Sequence, residues 1–121
     1  MNIAESQNPY AAADAETVDV RMSPSTDING TSLQGELYVH YDFIVKVFGE
    51  MNSGGDGYKI DYQWLGTING KPFSIYNWKN GPNYLDIGGK KPEEILDWHI
   101  GAHEHETYNE LVSYMADIID A

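Results

Sequence analysis

The clearest alternation of apolar and polar residues in this chain flanks Asn69-Gly70. Residues 58–68 and 71–79 both have the pattern of half-buried β-strands. Asn-Gly accepts positive φ at both central positions of a turn, so it predicts a β-hairpin with a two-residue loop. Such a loop fixes the register of the two strands. The expected pairs are Ile68 with Lys71, Trp64 with Ile75, Gln63 with Tyr76, and Asp61 with Trp78.

The two faces of this hairpin differ in polarity. Because side chains alternate across a strand, one face collects a mainly apolar set that is expected to lie in the core. This set is Ile60, Tyr62, Trp64, Phe73 and Ile75. The other set is Lys59, Asp61, Gln63, Leu65, Ser74, Tyr76 and Trp78. Tyr76 and Trp78 are aromatic residues of the kind that dominate interfaces when exposed. The alternative is that the carboxy-terminal strand or a loop covers Trp78.

Two other segments have the spacing of amphipathic helices. From about residue 41 to 49, Phe43, Ile44, Val47 and Phe48 form one apolar stripe, and Gly49 follows as the residue that ends the helix. From about residue 104 to 119, apolar residues recur at i, i+3 and i+4. These residues are Tyr108, Leu111, Val112, Met115, Ile118 and Ile119.

Shorter patterns complete the predicted fold. Val18, Val20 and Met22 alternate with polar residues and predict a short strand, and residues 97–101 predict another. In the latter, Trp98 and Ile100 are expected on one side and His99 on the other. Between the hairpin and this strand, residues 80–92 are rich in Gly, Pro and Asn and are expected to form a loop.

The predicted architecture is therefore α+β. Residues 1–16 lack a periodic apolar pattern and are expected to be a flexible tail, followed by a single domain over residues 17–121. The domain is expected to contain a small antiparallel sheet of about three to five strands built around the hairpin at 58–79. Two helices, at about 41–49 and 104–119, are expected to pack on one face of that sheet.

Charge is distributed unevenly along the chain, whose formal net charge is -12. From Pro92 to Ala121 there are eight acidic residues and no Lys or Arg, namely Glu93, Glu94, Asp97, Glu104, Glu106, Glu110, Asp117 and Asp120. The negative electrostatic field of these residues attracts basic surfaces and repels nucleic acid over about 8 Å at physiological salt. Asp117 and Asp120 lie near the negative end of the helix dipole, so they do not favour helix stability. Solubility alone is the alternative explanation of this charge.

Composition excludes several classes of chemistry. The chain has no cysteine, which removes disulfides, thiolate zinc sites and thiol nucleophiles and suits a reducing compartment. We find no apolar run near the roughly 20 residues of a membrane span, no secretory signal and no basic stripe for nucleic acid. The serines lack a nucleophile-elbow context. We therefore expect a cytoplasmic protein that is not an enzyme and needs no cofactor, and that binds neither membranes nor nucleic acid directly.

A histidine cluster provides the one candidate metal site. His99, His103 and His105 lie close to Glu104 and Glu106 in sequence. On a helix, however, His103 and His105 at i+2 point to nearly opposite sides. They can meet only if residues 102 and 103 stay extended, so we expect no metal. A metal-dependent hydrolase built on these three histidines is one alternative function.

Several motifs in this chain occur together in a known group of proteins. They are GTSLQG at 30–35, FGE at 48–50, DGYK at 56–59, Trp64, IYNWK at 75–79 and WHIG at 98–101. In this respect the chain resembles a family of small, mostly uncharacterised proteins of tailed bacteriophages and prophages. A proline often follows the FGE-like element in that family, where this chain has Met51. The order of elements is also similar to the sheet-plus-helix units of β-lactamase inhibitor proteins and related outer-membrane assembly lipoproteins.

A phage origin, which the resemblance implies, leads to a concrete function. We expect an inhibitor of a bacterial defence system in the host cytoplasm, most concretely an anti-CRISPR protein whose acidic helix occupies the basic nucleic-acid channel of a CRISPR effector. The contact residues are expected to be Glu104, Glu106, Glu110, Asp117 and Asp120, with Tyr76, Trp78 and Tyr84 as anchors. Exposed strand edges would also permit a homodimer.

A second alternative is a sponge that sequesters a cyclic-nucleotide immune signal. In this hypothesis Tyr and Trp side chains stack on the base, and lysines neutralise the phosphate. The lysines concerned are Lys59, Lys79, Lys90 and Lys91, on or beside the polar face of the hairpin.

Overall fold

Residues 18–120 are described by a computed structural model, and the tail predicted over residues 1–16 lies outside them. The strands are β1 (Val20–Met22), β2 (Ser32–Leu37), β3 (Gln63–Ile68), β4 (Lys71–Tyr76) and β5 (Trp98–Ala102). They form one antiparallel sheet in the order β1-β3-β4-β5-β2. The helices are α1 (Tyr41–Phe48), α2 (Pro82–Leu85) and α3 (His105–Asp120), with 3-10 turns at Asp86–Gly88 and Pro92–Glu94. The predicted α+β class is confirmed.

The Asn69-Gly70 turn sets the register of the central hairpin as the sequence predicts. Both residues have positive φ, 51° at Asn69 and 81° at Gly70. The observed pairs include Ile68 with Lys71, Trp64 with Ile75 and Gln63 with Tyr76. This register directs the side chains of Trp64, Phe73 and Ile75 to one face, where all are buried.

The fourth expected pair, Asp61 with Trp78, is not formed, because the Asn77 side chain replaces the strand ladder. Asn77 Oδ1 accepts hydrogen bonds from the backbone N–H groups of Asp61 (2.7 Å) and Tyr62 (2.9 Å). Regular pairing therefore stops at Gln63 and Tyr76. As a result Ile60, which we expect on the core face, instead lines a concavity beside Trp78.

Both long helices pack on the same face of the sheet, as predicted. Their buried residues join those of the strands in one hydrophobic core, with Ile44 and Phe48 from α1 and Leu111 and Met115 from α3. Trp64 ties the end of α1 to the sheet, because its Nε1 donates a hydrogen bond to the carbonyl oxygen of Gly49 at 2.9 Å. No helix in residues 18–120 is both long enough and apolar enough to cross a membrane.

Strand β2 lies at the edge of the sheet, beside β5, and α3 crosses close to it. Gly35 permits this approach, since a Cβ atom there would lie 2.5 Å from Cζ of Tyr108. Tyr108 then donates its hydroxyl hydrogen to the carbonyl oxygen of Glu36 at 2.8 Å. Helix α3 is thereby fixed against β2, the strand that forms this edge of the sheet.

The two long helices pack on the core face, and neither of them packs against the opposite face of the sheet in residues 18–120. Tyr76 pairs with His99 across β4 and β5, and Ser74 pairs with Gly101, so these residues share that face. The segments around Ile28–Thr31 and Ile60 border it. We call this the open face.

Candidate functional site

The residues that the sequence nominates for contact lie on two sides of the sheet. Helix α3 packs through Leu111 and Met115 onto the core face, so its outer surface is turned away from the sheet on that side. Tyr76 lies on the open face and Trp78 follows it, with Tyr84 close by in α2, since Lys79 contacts the rings of both Trp78 and Tyr84. The acidic and aromatic residues therefore form two separate surfaces.

A concavity with a volume of about 500 Å³ lies along α3. It runs between α3 and the edge of the sheet at β1 and the hairpin turn. Its lining residues are Val18, Ile68, Asn69, Glu106, Asn109, Glu110, Ser113, Tyr114 and Asp117. We call it the acidic groove. Glu106, Glu110 and Asp117 fall on one side of α3 because they are spaced i, i+4 and i+11.

One carboxylate of the acidic groove is neutralised within the protein. Lys71 Nζ lies 2.8 Å from Glu110 Oε1, and the two side chains are 35% and 32% exposed. The hydrogen bond to Glu110 raises the pKa of Lys71 above its usual value, so the lysine stays charged. The other ion pair within residues 18–120 is Arg21 with Asp19. Glu106 and Asp117 are both exposed and form no ion pair among these residues, although Glu106 lies close enough to Lys71 to help raise the pKa of that lysine.

Of the two remaining acidic candidates, the structure describes the side chain of Glu104 alone. Glu104 lines a separate concavity of about 240 Å³ with Lys71, Pro72, His103 and Thr107. The side chain of Asp120 lies outside the part of the chain that the structure describes. Among the described side chains, the acidic groove thus holds Glu106 and Asp117 together with the paired Glu110.

On the opposite side, lysine and aromatic side chains form a second surface. It comprises Tyr58, Lys59, Tyr76, Trp78, Lys79, Tyr84 and His99, and we call it the lysine–aromatic surface. Lys59 Nζ lies 5.3 Å from the ring centroid of Tyr58 and 5.5 Å from that of Trp78. Lys79 Nζ lies 5.8 Å from the ring centroids of Trp78 and Tyr84. Each ammonium group therefore has two aromatic neighbours within cation–π range.

Trp78 is at the centre of this surface. The residue is 38% exposed, so neither a loop nor a strand of the described residues covers it fully. It stacks beside His99 with an interplanar angle of 21° and meets Tyr76 edge-on at 71°. Burial raises the pKa of Tyr76, which keeps its hydroxyl neutral. These neighbours hold the Trp78 ring from the side of the sheet.

The glycine-rich loop before β3 positions Tyr58 and Lys59. Asp56 Oδ1 accepts hydrogen bonds from the backbone N–H groups of Tyr58, Lys59 and Ile60, each at 2.9 Å. Burial acts to raise the pKa of Asp56, but these three donors outweigh it and lower the pKa below its ordinary value. Lys79, at φ 61°, donates its backbone N–H to the carbonyl oxygen of Lys59 at 2.9 Å. The loop and the end of β4 are thereby joined.

Sequence reasoning places Trp78, Lys59 and Lys79 together, but it does not single out Tyr58, and it considers His99 only as a candidate metal ligand. The signal for Tyr58 is Asp56-Gly57, a turn-forming pair immediately before it. The signal for His99 is its alternation with Trp98 and Ile100, which turns it to the open face. Lys90 and Lys91 are exposed, but within residues 18–120 the cation–π contacts of this surface are those of Lys59 and Lys79.

The three histidines of the candidate metal site lie apart. His99 is on the open face beside Tyr76, at a ring-centroid distance of 5.6 Å. His105 Nδ1 is 3.2 Å from the carbonyl oxygen of Gln34, and His103 lines the concavity around Pro72. Within the described range, no three His, Asp or Glu side chains are placed to hold one metal ion. The hydrolase hypothesis therefore has no site here.

Comparison of the chain with protein-family models, curated proteins and solved structures gives no match. Any function must therefore be argued from the two surfaces themselves.

Proposed function

We propose that this protein is a non-enzymatic inhibitor that covers a basic surface of another protein through the acidic groove. The observation that carries the proposal is that Glu106 and Asp117, which form no ion pair among the described residues, both line a concavity of about 500 Å³. A partner that uses the same basic surface for nucleic acid would be blocked, because the two ligands could not bind together.

The groove suits the side chains of arginine and lysine. Its lining includes Val18, Ile68 and Tyr114, which offer apolar contact to the methylene stem of such a side chain. Glu106 and Asp117 offer acceptors for the charged head, and a guanidinium–carboxylate pair of this kind also fixes orientation. Stem and head would thus be recognised in one concavity.

The carboxylates of the acidic groove are too widely spaced to imitate the phosphates of duplex DNA. Their spacing favours recognition of individual basic side chains of the target. Glu106 and Asp117 are eleven residues apart on α3, which corresponds to about 16 Å of helix at about 1.5 Å per residue. Duplex DNA carries about nine or ten phosphate charges over that length. With three carboxylates, one of them paired with Lys71, the groove engages only a few basic residues of its target.

A CRISPR effector is the most concrete partner for such an inhibitor. These effectors hold nucleic acid in positively charged channels. The phage-protein resemblance described above makes a bacterial defence protein a natural target. Electrostatic complementarity would accelerate association and set the register of binding, while nearby apolar contacts would supply affinity.

Charge removal at the groove tests this proposal. We expect Glu106→Gln with Asp117→Asn to weaken inhibition of a susceptible effector roughly tenfold, because two desolvated charge contacts are lost. Glu110 is left intact so that its pair with Lys71 survives. The measurement is DNA binding by a panel of purified guide-loaded CRISPR effectors, at about 50 and 300 mM salt, with the salt dependence shallower in the variant.

The matched control is Glu93→Gln with Asp97→Asn, which removes the same charge from exposed positions outside the groove. It is expected to inhibit like the unmodified protein within about twofold, because screened surface charges contribute little. Equal loss in both variants would mean that net charge alone matters. Full inhibition by the groove variant, or no inhibition of any effector in the panel, would contradict the proposal.

A further inference from the structure

Two lysines of the lysine–aromatic surface form no ion pair with any carboxylate of the described residues, although the protein is acidic. The formal net charge is -12, with 19 acidic residues. Even so, the ion pairs within residues 18–120 involve neither Lys59 nor Lys79. Their ammonium groups lie over aromatic rings instead. At exposed positions such contacts are weak, so a phosphate group can still compete for the same lysines.

The rings beneath these lysines are accessible to a ligand. Trp78 and Tyr84 are each 38% exposed and Tyr58 is 56% exposed. Stacking of a base on an exposed aromatic side chain is favourable and is available to every base. The Trp78 ring is already held by His99 and Tyr76, so little ordering is required when a base binds.

A small concavity of about 150 Å³ adjoins Trp78 on the open face. Its walls are mostly apolar; among its polar residues Gln63 and Ser74 are buried, while Thr31 and Tyr76 are partly exposed beside the aromatic platform. Drug-sized ligands fill sites of about 300–1,000 Å³. This concavity can therefore take a base or part of one, with the sugar and phosphate left at the surface beside the lysines.

We propose that the lysine–aromatic surface binds a small nucleotide, with the base stacked on Trp78 and the phosphate held by Lys59 and Lys79. This site lies on the opposite side of the sheet from the acidic groove and does not depend on the proposed inhibition. A polymer is disfavoured as the ligand, because the net charge of -12 repels an extended polyanion beyond the few ångströms of the site. A mononucleotide or cyclic dinucleotide places its phosphates at the two lysines alone.

Calorimetry with defined probes tests the site. The probes are the four ribonucleoside monophosphates, purine cyclic dinucleotides, the matching nucleosides and inorganic phosphate. We expect at least one nucleotide to bind, its nucleoside to bind at least about tenfold more weakly, and phosphate alone to give no measurable heat, since stacking and charge act together. Tryptophan fluorescence is expected to change on binding, because a base on Trp78 alters the surroundings of its ring.

Two charge-matched variants identify the surface. Lys59→Gln with Lys79→Gln is expected to weaken nucleotide binding at least about tenfold, whereas Lys90→Gln with Lys91→Gln leaves it within about twofold, since these exposed lysines make no aromatic contact within the described residues. Trp78→Leu tests stacking separately. Equal melting temperatures show that each variant is folded.

Three outcomes would overturn the nucleotide site. They are no heat with any nucleotide, unchanged affinity in the Lys59/Lys79 variant, and tighter binding of single-stranded RNA than of every small nucleotide. The groove variant with Glu106→Gln and Asp117→Asn is expected to bind nucleotide normally. Failure of the nucleotide site is therefore distinguishable from failure of the inhibition proposal.

Discussion

Asn77→Ala is expected to lower the free energy of unfolding by about 3–5 kcal/mol. The Asn77 side chain is fully buried and makes four hydrogen bonds. Two are accepted from the backbone N–H groups of Asp61 and Tyr62, and two are donated, at 3.2 Å to Asp61 Oδ1 and at 2.9 Å to Asn80 Oδ1. Alanine leaves these groups without their hydrogen bonds to Asn77, at a partly buried position where water replaces those bonds poorly. The loss is a large part of the roughly 5–15 kcal/mol that stabilises a typical domain.

Urea unfolding monitored by tryptophan fluorescence measures this effect. The control is Asn83→Ala, since Asn83 is exposed in the adjacent α2 and the change is expected to stay within about 0.5 kcal/mol. We also expect Asn77→Ala to weaken nucleotide binding, because the same amide holds the end of β4 next to Trp78. A loss below about 1 kcal/mol would mean that the strands pair normally without the amide.

Gly35→Ala is expected to destabilise the protein by about 1–3 kcal/mol, although alanine is ordinarily preferred to glycine inside a strand. The added methyl group would meet the Tyr108 ring, whose Cζ lies 2.5 Å from the position of the new Cβ. The ring must move, and its hydrogen bond to the carbonyl oxygen of Glu36 is strained or lost. The contact between α3 and β2 is weakened as a result.

A double-mutant cycle with Tyr108→Ala isolates this steric cause. Without the aromatic ring, Gly35→Ala is expected to be neutral or slightly stabilising, so the sign of its effect changes. The coupling free energy from urea unfolding is then about 1–3 kcal/mol. The same destabilisation in both backgrounds would show that the strand needs glycine for another reason.

Local patterns predict much of this fold. The Asn-Gly turn gives the correct hairpin register for three pairs, and the apolar stripes give both long helices and their shared face. The register fails only beyond Gln63, where a side-chain amide takes over from the backbone. No periodic pattern predicts where a side-chain amide replaces backbone pairing, because a buried Asn in a strand-like segment has the same sequence signature as an exposed one.

Strand β2 has no such local signal. Its sequence SLQGEL has a glycine in the middle, and of its residues only Leu37 is buried. It is a strand because β5 offers an edge to pair with and α3 covers Gly35. Both contacts are made by residues more than sixty positions later in the chain, so a reading of neighbouring residues could not predict them.

The two surfaces were predictable to different degrees. Charge counting identifies the acidic helix, but the pairing of Glu110 with Lys71 depends on how α3 crosses the hairpin. Alternation brings Lys59 and Trp78 to one face, but the contribution of Tyr58 depends on the turn that Asp56 stabilises. In each case the residue type is evident from the sequence, and the partner is set by tertiary structure.

Displacement of DNA is the most direct test that the protein acts by occlusion. A fluorescently labelled target duplex is bound to a guide-loaded CRISPR effector from the inhibition panel, and the protein is added while anisotropy is recorded. Occlusion through the acidic groove predicts that the DNA is released and that the required protein concentration rises in proportion to the DNA concentration. A stable ternary complex of effector, DNA and protein would contradict it.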